Sequence, residues 1–232
     1  MLNEMTIILT NDDGIDAPGI QALKQAIENI SSNNIIVAPK VQHSGCGHQV
    51  TTHRGINVEQ RNPLAYAVDG TPVDCTRIAL TQLSSDTKWV LSGINAGGNL
   101  GTDVYISGTV AAVREAAIHG ISGVAISHWI KRPLIIDWDV AASWTSKVLA
   151  ELMARPMIPG SFWNVNLPHI EKGAKEPEIV FCEPSIDPLP VDFRQEADTY
   201  YYKGKYSDRD RTSGTDVDVC FSGNIAVTKI NL

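Results

Sequence analysis

The 232-residue sequence has no Cys-x-x-Cys pair, no excess of basic residues and no apolar run of membrane-spanning length. Each shortage excludes something. Cys46, Cys75, Cys182 and Cys220 stand far apart, so a thiolate zinc site is not expected and reduced thiols in a cytoplasm are. A net charge of −7 argues against a basic groove for DNA or RNA. No stretch approaches the roughly 18 to 20 apolar residues of a membrane span. The apolar run beside Glu4 is only about five residues, too short for a signal-peptide core, and a soluble cytoplasmic protein is expected. The nucleotide fingerprints are missing as well. There is no Gly-x-x-x-x-Gly-Lys-Ser/Thr, and the glycines at 97–101 lack Gly-x-Gly-x-x-Gly spacing. No Asp-x-Asp follows the first apolar run, as an aspartyl-phosphate phosphatase would need. A small phosphorylated substrate remains compatible with the negative charge if a metal cation bridges the two.

What is present is an alternation of strand and helix signals. Residues 5–9 read as a short buried strand, and Pro18 opens a helix whose apolar face carries Ile20, Leu23, Ile27 and Ile30. Strands are expected at 35–37, 65–68, 89–91, 123–127, 163–167, 179–181 and 225–227. Thr71 is placed to cap a helix starting at Pro72, with Asp74 three residues on, and Asp137 to cap another. A helix near Thr109 runs to His119. This alternation predicts an α/β fold, a Rossmann-like three-layer sandwich with a mostly parallel sheet. From 184 to 215 the chain turns polar and rich in turns, interrupted by Tyr200, Tyr201 and Tyr202. The expected organisation is an α/β catalytic core over 1–183 and a C-terminal extended arm over 184–232. That arm returns as a terminal strand, within a single domain overall.

The chemistry collects at strand ends. Asp12 and Asp13 follow the first strand, with Gly14 marking the exit from it. In an open parallel sheet, ligands gather outside the carboxyl ends of the strands. Two adjacent carboxylates repel, so a positive charge must offset them or one must stay protonated. Mg²⁺ or Mn²⁺ suits such a site, because hard cations prefer oxygen ligands. A solvated turn capping the next helix is the plainer alternative. Two further loops carry oxygens at strand ends: His43-Ser44-Gly45-Cys46-Gly47-His48, and the 95–101 segment with Asn95 and Asn99. Ser44 and Asn95 are neutral donors that fit a cation already met by two carboxylates, and three such loops can converge on one crevice. His43 and His48 are candidates to touch a substrate. Ser107-Gly108-Thr109, just before a helix, is a candidate anion site through backbone N–H groups and hydroxyls. Alternatively, Ser107 or Thr109 merely caps its own helix.

Taken together, these segments resemble the SurE family of stationary-phase survival proteins, which are metal-dependent nucleotidases. The likeness runs through the 11–19 segment, Val37-Ala38-Pro39 with Ser44-Gly45, and Gly70-Thr71-Pro72-Val73-Asp74-Cys75. It continues through Ser92-Gly93-Ile94-Asn95-Ala96-Gly97, Asn99-Leu100-Gly101, the 105–110 segment and Gly214-Thr215-Asp216. It covers nearly the whole chain, in order. The resemblance implies that Asp12, Asp13, Ser44 and Asn95 hold one divalent cation per subunit. The reaction it implies is hydrolysis of nucleoside 5′-monophosphates, or 3′-monophosphates, to nucleoside and phosphate. It also implies a homodimer or homotetramer that exchanges C-terminal segments. One departure stands out. After Ala-Pro the family reads Asp-Arg, whereas this chain has Lys40-Val41, and Lys cannot replace the bidentate fork of Arg on phosphate.

On this reading Asp12, Asp13 and Asn99 are the catalytic residues, and Asn99, Ser107, Gly108 and Thr109 hold the phosphate. No general base is assigned. The competing reading is a non-catalytic nucleotide- or phosphate-binding module on the same fold, which the Lys40-Val41 pair keeps open. A nicotinamide dehydrogenase on this architecture would need the missing glycine fingerprint.

Overall fold

The structure, a computed structural model, describes residues 5–232; Glu4, used above against a leader segment, lies outside the described residues. The chain enters through strand β1 (Thr6–Thr10), every residue of which is buried. Alternation explains why β1 is apolar on both sides. Ile7 and Leu9 join a core with helix α1 (Pro18–Ala26), while Ile8 joins another on the opposite face. Strand β2 (Asn34–Pro39), the pair β3 (Val58–Asn62) and β4 (Ala65–Val68), and helix α2 (Pro72–Ile78) follow. The capping box is formed: Asp74 N–H donates to Thr71 Oγ1 at 3.2 Å, and Thr71 N–H to Asp74 Oδ2 at 2.9 Å.

Next come β5 (Thr87–Ala96), α3 (Gly108–Ile118), β6 (Ser122–His128), α4 (Trp138–Met153) and β7 (Ser161–Leu167). Asp137 caps α4, accepting from Val140 N–H at 3.2 Å. The chain closes with β8 (Ile179–Phe181), the hairpin β9 (Phe193–Glu196) and β10 (Thr199–Tyr202), α5 (Asp216–Phe221) and β11 (Ile225–Asn231).

Among the described residues the main sheet runs β3-β4-β2-β1-β5-β6-β7-β11-β8. Strands β4, β2, β1, β5, β6 and β7 are mutually parallel; β3 and β11 are antiparallel to β4 and β7. Helices α1 and α4 pack together on one face and α2 with α3 on the other, which makes the three-layer α/β sandwich the sequence predicts. Strand order reverses at β1, with β2 on one side and β5 on the other. The crevice at their carboxyl ends is therefore the place where a ligand is expected.

Three expectations need correction. Strand β5 does not stop at Leu91 but continues through Ala96, because Asn95 and Ala96 still pair with Ser127 and His128 of β6. Helix α1 ends at Ala26, short of Ile30, as the chain tightens into turns. Tyr200, Tyr201 and Tyr202 are not surface loop but strand β10, paired with β9 in a separate two-stranded sheet. The close approach of α1 to β5 depends on Gly19, where a Cβ would lie 1.9 Å from the Ile94 carbonyl oxygen. No helix among the described residues is long and apolar enough to cross a membrane.

Candidate active site

The turn after β1 is held by Asn11, whose side-chain amide donates to the Gly14 carbonyl at 2.8 Å and accepts from its N–H at 3.2 Å. This places Asp12 and Asp13 at the mouth of the crevice. Asp12 is buried; its Oδ1 accepts from the Thr109 hydroxyl, and its backbone carbonyl accepts from His43 N–H at 2.7 Å. Asp13 is half-buried and accepts from Gln42 Nε2 at 3.0 Å and from Ala96 N–H at 3.2 Å. The first motif is thus tied to both other loops by hydrogen bonds.

Asp12, Asp13, Ser44, Asn95, Asn99 and Ser107 line one cleft of about 270 Å³. Asn95 donates through Nδ2 to the Gly97 carbonyl at 2.8 Å, so its oxygen is the end left for a ligand. Ser44 is exposed. Asn99 is fixed by a polar ladder: its Nδ2 donates to Ser127 Oγ at 2.7 Å. Its carbonyl accepts from Asn164 and Asn166 at 2.9 and 3.0 Å.

Helix α3 aims its N-terminus into the same place. Ser107 caps it, accepting from Val110 N–H at 3.1 Å, so the hydroxyl already serves the helix. The N–H of Gly108 finds no protein acceptor among the described residues and remains for an anion, while the Thr109 N–H lies toward the Asp12 carboxylate. Gly108 is needed because the helix presses on the first loop: a Cβ would lie 2.8 Å from Cys46 Sγ and 2.9 Å from Asp12 Cβ. Thr109 is fully buried and its hydroxyl hydrogen goes to Asp12.

Burial pushes Asp12 up to about 6, opposed by the Thr109 hydrogen bond and reinforced by the Asp13 charge. Two carboxylates, one of them desolvated, with two neutral oxygens beside them, form a donor set that suits a hard divalent cation.

The structure also brings in residues that sequence reasoning missed. Gln42 orients Asp13, and Asp103, Leu189 and Tyr206 complete the cleft wall. Leu189 and Tyr206 come from the 184–215 excursion, so local pattern gave no signal for them. Tyr206 donates to Asp103 Oδ2 at 2.6 Å, and Arg209 pairs with the same oxygen at 2.8 Å in a buried contact. His48 does not face the cleft. It turns to the buried Glu115, at 2.8 Å, and His43 supplies only its backbone N–H to Asp12. Lys40 also points away, pairing with Glu59 on β3 at 3.0 Å.

The sequence pattern of the family described as survival protein SurE matches residues 7–185. The chain belongs to the SurE family. A candidate 5′-nucleotidase of Nostoc sp. is 62% identical over 98% of this chain and 100% of its own length. The 5′-nucleotidase SurE of Heliobacterium modesticaldum is 37% identical over 98% of this chain and 86% of its own. Among solved structures, the SurE protein from Aquifex aeolicus matches with a TM-score of 0.86 and 27% identity. It covers 97% of this chain and 93% of that one.

Proposed function

We propose that this SurE-family chain is a divalent-metal-dependent phosphatase that hydrolyses nucleoside 5′-monophosphates, with 3′-monophosphates as further substrates, to nucleoside and phosphate. The observation that carries the reading is the meeting of two kinds of group in one cleft. The oxygen set of Asp12, Asp13, Ser44 and Asn95 meets the N-terminus of α3, where Ser107 lines the same cleft and the Gly108 N–H is free. Mg²⁺ or Mn²⁺, one per subunit, supplies charge neutralisation and a lowered water pKa at such a site.

The chain's own residues do the rest. Gly108 donates its backbone N–H to a phosphate oxygen, and Ser107, Thr109 and Asn99 flank it. They meet the charge as it develops when a water oxygen attacks phosphorus and the ester P–O bond breaks. The nucleoside leaves and takes up a proton. Asp12, Asp13 and Asn99 are the catalytic residues in this scheme.

Phosphate release from p-nitrophenyl phosphate and a panel of nucleoside monophosphates, with Mn²⁺, Mg²⁺ or EDTA, tests the proposal. Hydrolysis is expected with metal and its complete loss with EDTA. Full activity in chelated protein sinks the metal role, and tight nucleotide binding without turnover would favour the binding-module reading. Lys40 lies against Glu59, so it does not substitute for the family's Arg at the phosphate.

Acid should weaken the metal. Below about pH 6 Asp12 holds a proton that a cation must displace. Mn²⁺ affinity is therefore expected to fall between pH 7 and 5 by up to about tenfold per unit. The sign for stability is opposite. The folded value lies above the unfolded one, so this group favours the metal-free fold most below about pH 4, and the benefit is lost as pH rises through about 6. Calorimetric Mn²⁺ titrations at several pH values check this; a flat affinity contradicts carboxylate ligation.

The same reading includes a cytoplasmic homo-oligomer, with 1–183 as core and 184–232 as its oligomerisation arm. The four cysteines are free thiols. Hairpin β9–β10 projects Phe193, Tyr200, Tyr201 and Tyr202 outward, each about half exposed. Aromatic rings of this kind are enriched at interfaces. Static light scattering at micromolar concentration is expected to give a dimer or tetramer mass, and a monomer mass refutes it.

A further inference from the structure

A second cavity, of about 450 Å³, opens at the carboxyl ends of β6 and β7, against the first turns of α4. It neighbours the cleft. Ala96, in the cleft wall, pairs in register with His128, in the cavity wall, and Gly97 N–H donates to the His128 carbonyl at 3.0 Å. The two hollows therefore meet at the paired ends of β5 and β6.

Its walls combine apolar surface with two fixed imidazoles. Trp144 and Leu134 provide the apolar side. His128 and His169 are buried, 3% and 5% exposed, with rings edge to face at 4.9 Å between centroids. Their protons are placed by the backbone. His128 Nδ1 lies 2.7 Å from the Trp129 carbonyl, which can only accept, so Nδ1 carries the hydrogen. Burial holds this ring down to about 4, so it is neutral and its Nε2 is a bare acceptor. His169 Nδ1 accepts from Lys131 N–H at 3.1 Å, which leaves its hydrogen on Nε2 as a donor. Neither Nε2 has a protein partner among the described residues, and neither is sealed off.

A cavity walled by one imidazole with a free acceptor and a neighbouring one with a free donor, ring centroids 4.9 Å apart, suits a ligand edge that carries both a donor and an acceptor. Phosphates and carboxylates offer acceptors alone and would meet the His128 lone pair. The rim does not favour anions either: Glu176 is paired with Lys147, and Asp137 and Glu171 stand against Lys172. Nucleobases carry such an edge on a neutral, flat and largely apolar ring.

We propose that this cavity binds the nitrogen heterocycle of a nucleoside, with His128 and His169 reading its hydrogen-bonding edge. The proposal rests on the nucleotidase reading for its biological sense, and the heterocycle comes either from the substrate's base or from a free nucleoside. Adenosine titrated into the full-length protein, followed through the imidazole signals in ¹H–¹⁵N NMR spectra, tests it without catalysis. The spectra are expected to show His128 as the Nδ1–H tautomer and His169 as the Nε2–H tautomer. Both should shift with adenosine and neither with ribose 5-phosphate.

His169→Phe, which keeps a ring but removes the donor, should weaken adenosine binding about tenfold by calorimetry, the cost of one hydrogen bond. If the KM for adenosine monophosphate rises about tenfold relative to that for ribose 5-phosphate, the base of the substrate is the occupant. An unchanged ratio with weakened adenosine binding assigns a separate nucleoside site. Unshifted imidazoles in the wild-type protein, together with unaltered adenosine affinity in His169→Phe, overturn the proposal. Absence of hydrolysis with every ester, by contrast, counts against the nucleotidase reading and leaves the adenosine titration to decide this one.

Discussion

Asp13→Asn is expected to lower kcat on the order of 10²-fold or more while leaving the fold in place. The side chain is half-buried at the rim of the crevice and contributes nothing to the apolar core, so its replacement by a near-isostere should cost no more than about 1 kcal/mol of stability. What changes is charge. Asp12 is the more buried of the two carboxylates and Asp13 stands at the rim, so the substitution removes one of the two carboxylate charges the cation site offers. Asparagine also turns one oxygen into a donor, which must face either Gln42 Nε2 or Ala96 N–H, both donors themselves. Losses of this size are typical when one electrostatic contact to a reacting centre is removed. Steady-state kinetics at saturating Mn²⁺, with a thermal melt of the same sample, would show it. Wild-type turnover in the variant contradicts the assignment of Asp13 as a ligand.

Arg209→Leu is expected to destabilise the protein by about 3–5 kcal/mol and to raise KM. The Arg209 side chain is fully buried, pairing with Asp103 Oδ2 at 2.8 Å and donating to the Leu100 carbonyl at 3.1 Å. Removing one partner of a buried pair strands the other's charge, and that penalty exceeds what the intact pair contributes. The damage reaches the cleft because Asp103 and Tyr206 both line it, and Tyr206 donates to the same carboxylate oxygen. Loosening this clasp frees the 184–215 excursion from the cleft wall. Denaturant unfolding gives the stability change, and the ratio of KM to kcat effects separates a loosened wall from lost chemistry. A variant as stable as wild type, with unaltered KM, refutes the clasp. Deleting both charges together, Arg209→Leu with Asp103→Asn, should recover part of the lost stability.

Much of this protein could be read from local pattern. The strands at β1, β2, β4, β6, β7, β8 and β11 follow from short apolar runs, and the caps at Thr71 and Asp137 from residues that accept a backbone N–H. The three loops bearing Asp12, Ser44 and Asn95 were visible because turn residues and oxygen-bearing side chains follow buried strands directly. Strand β3 escaped notice, since Val58–Asn62 is mostly exposed and polar and is defined by its pairing with β4. The hairpin β9–β10 escaped for the same reason.

Other features depend on distance through space and have no local signature. The raised pKa of Asp12 requires helix α3 to close over it, and the free ends of His128 and His169 are assigned only by which carbonyl or N–H the fold sets beside each ring. Tyr206 and Leu189 reach the cleft from a segment far along the chain from the loops that bear Asp12, Ser44 and Asn95. The sequence by itself determined the buried strands, the capped helices, the layer architecture and the oxygen-bearing strand ends, because apolar periodicity and capping act within a few residues. Only the tertiary structure decided which groups are buried, which hydrogen-bond valences remain free and which distant segment walls the cleft. Desolvation and hydrogen-bond saturation are properties of packed neighbours, and those neighbours come from every part of the chain.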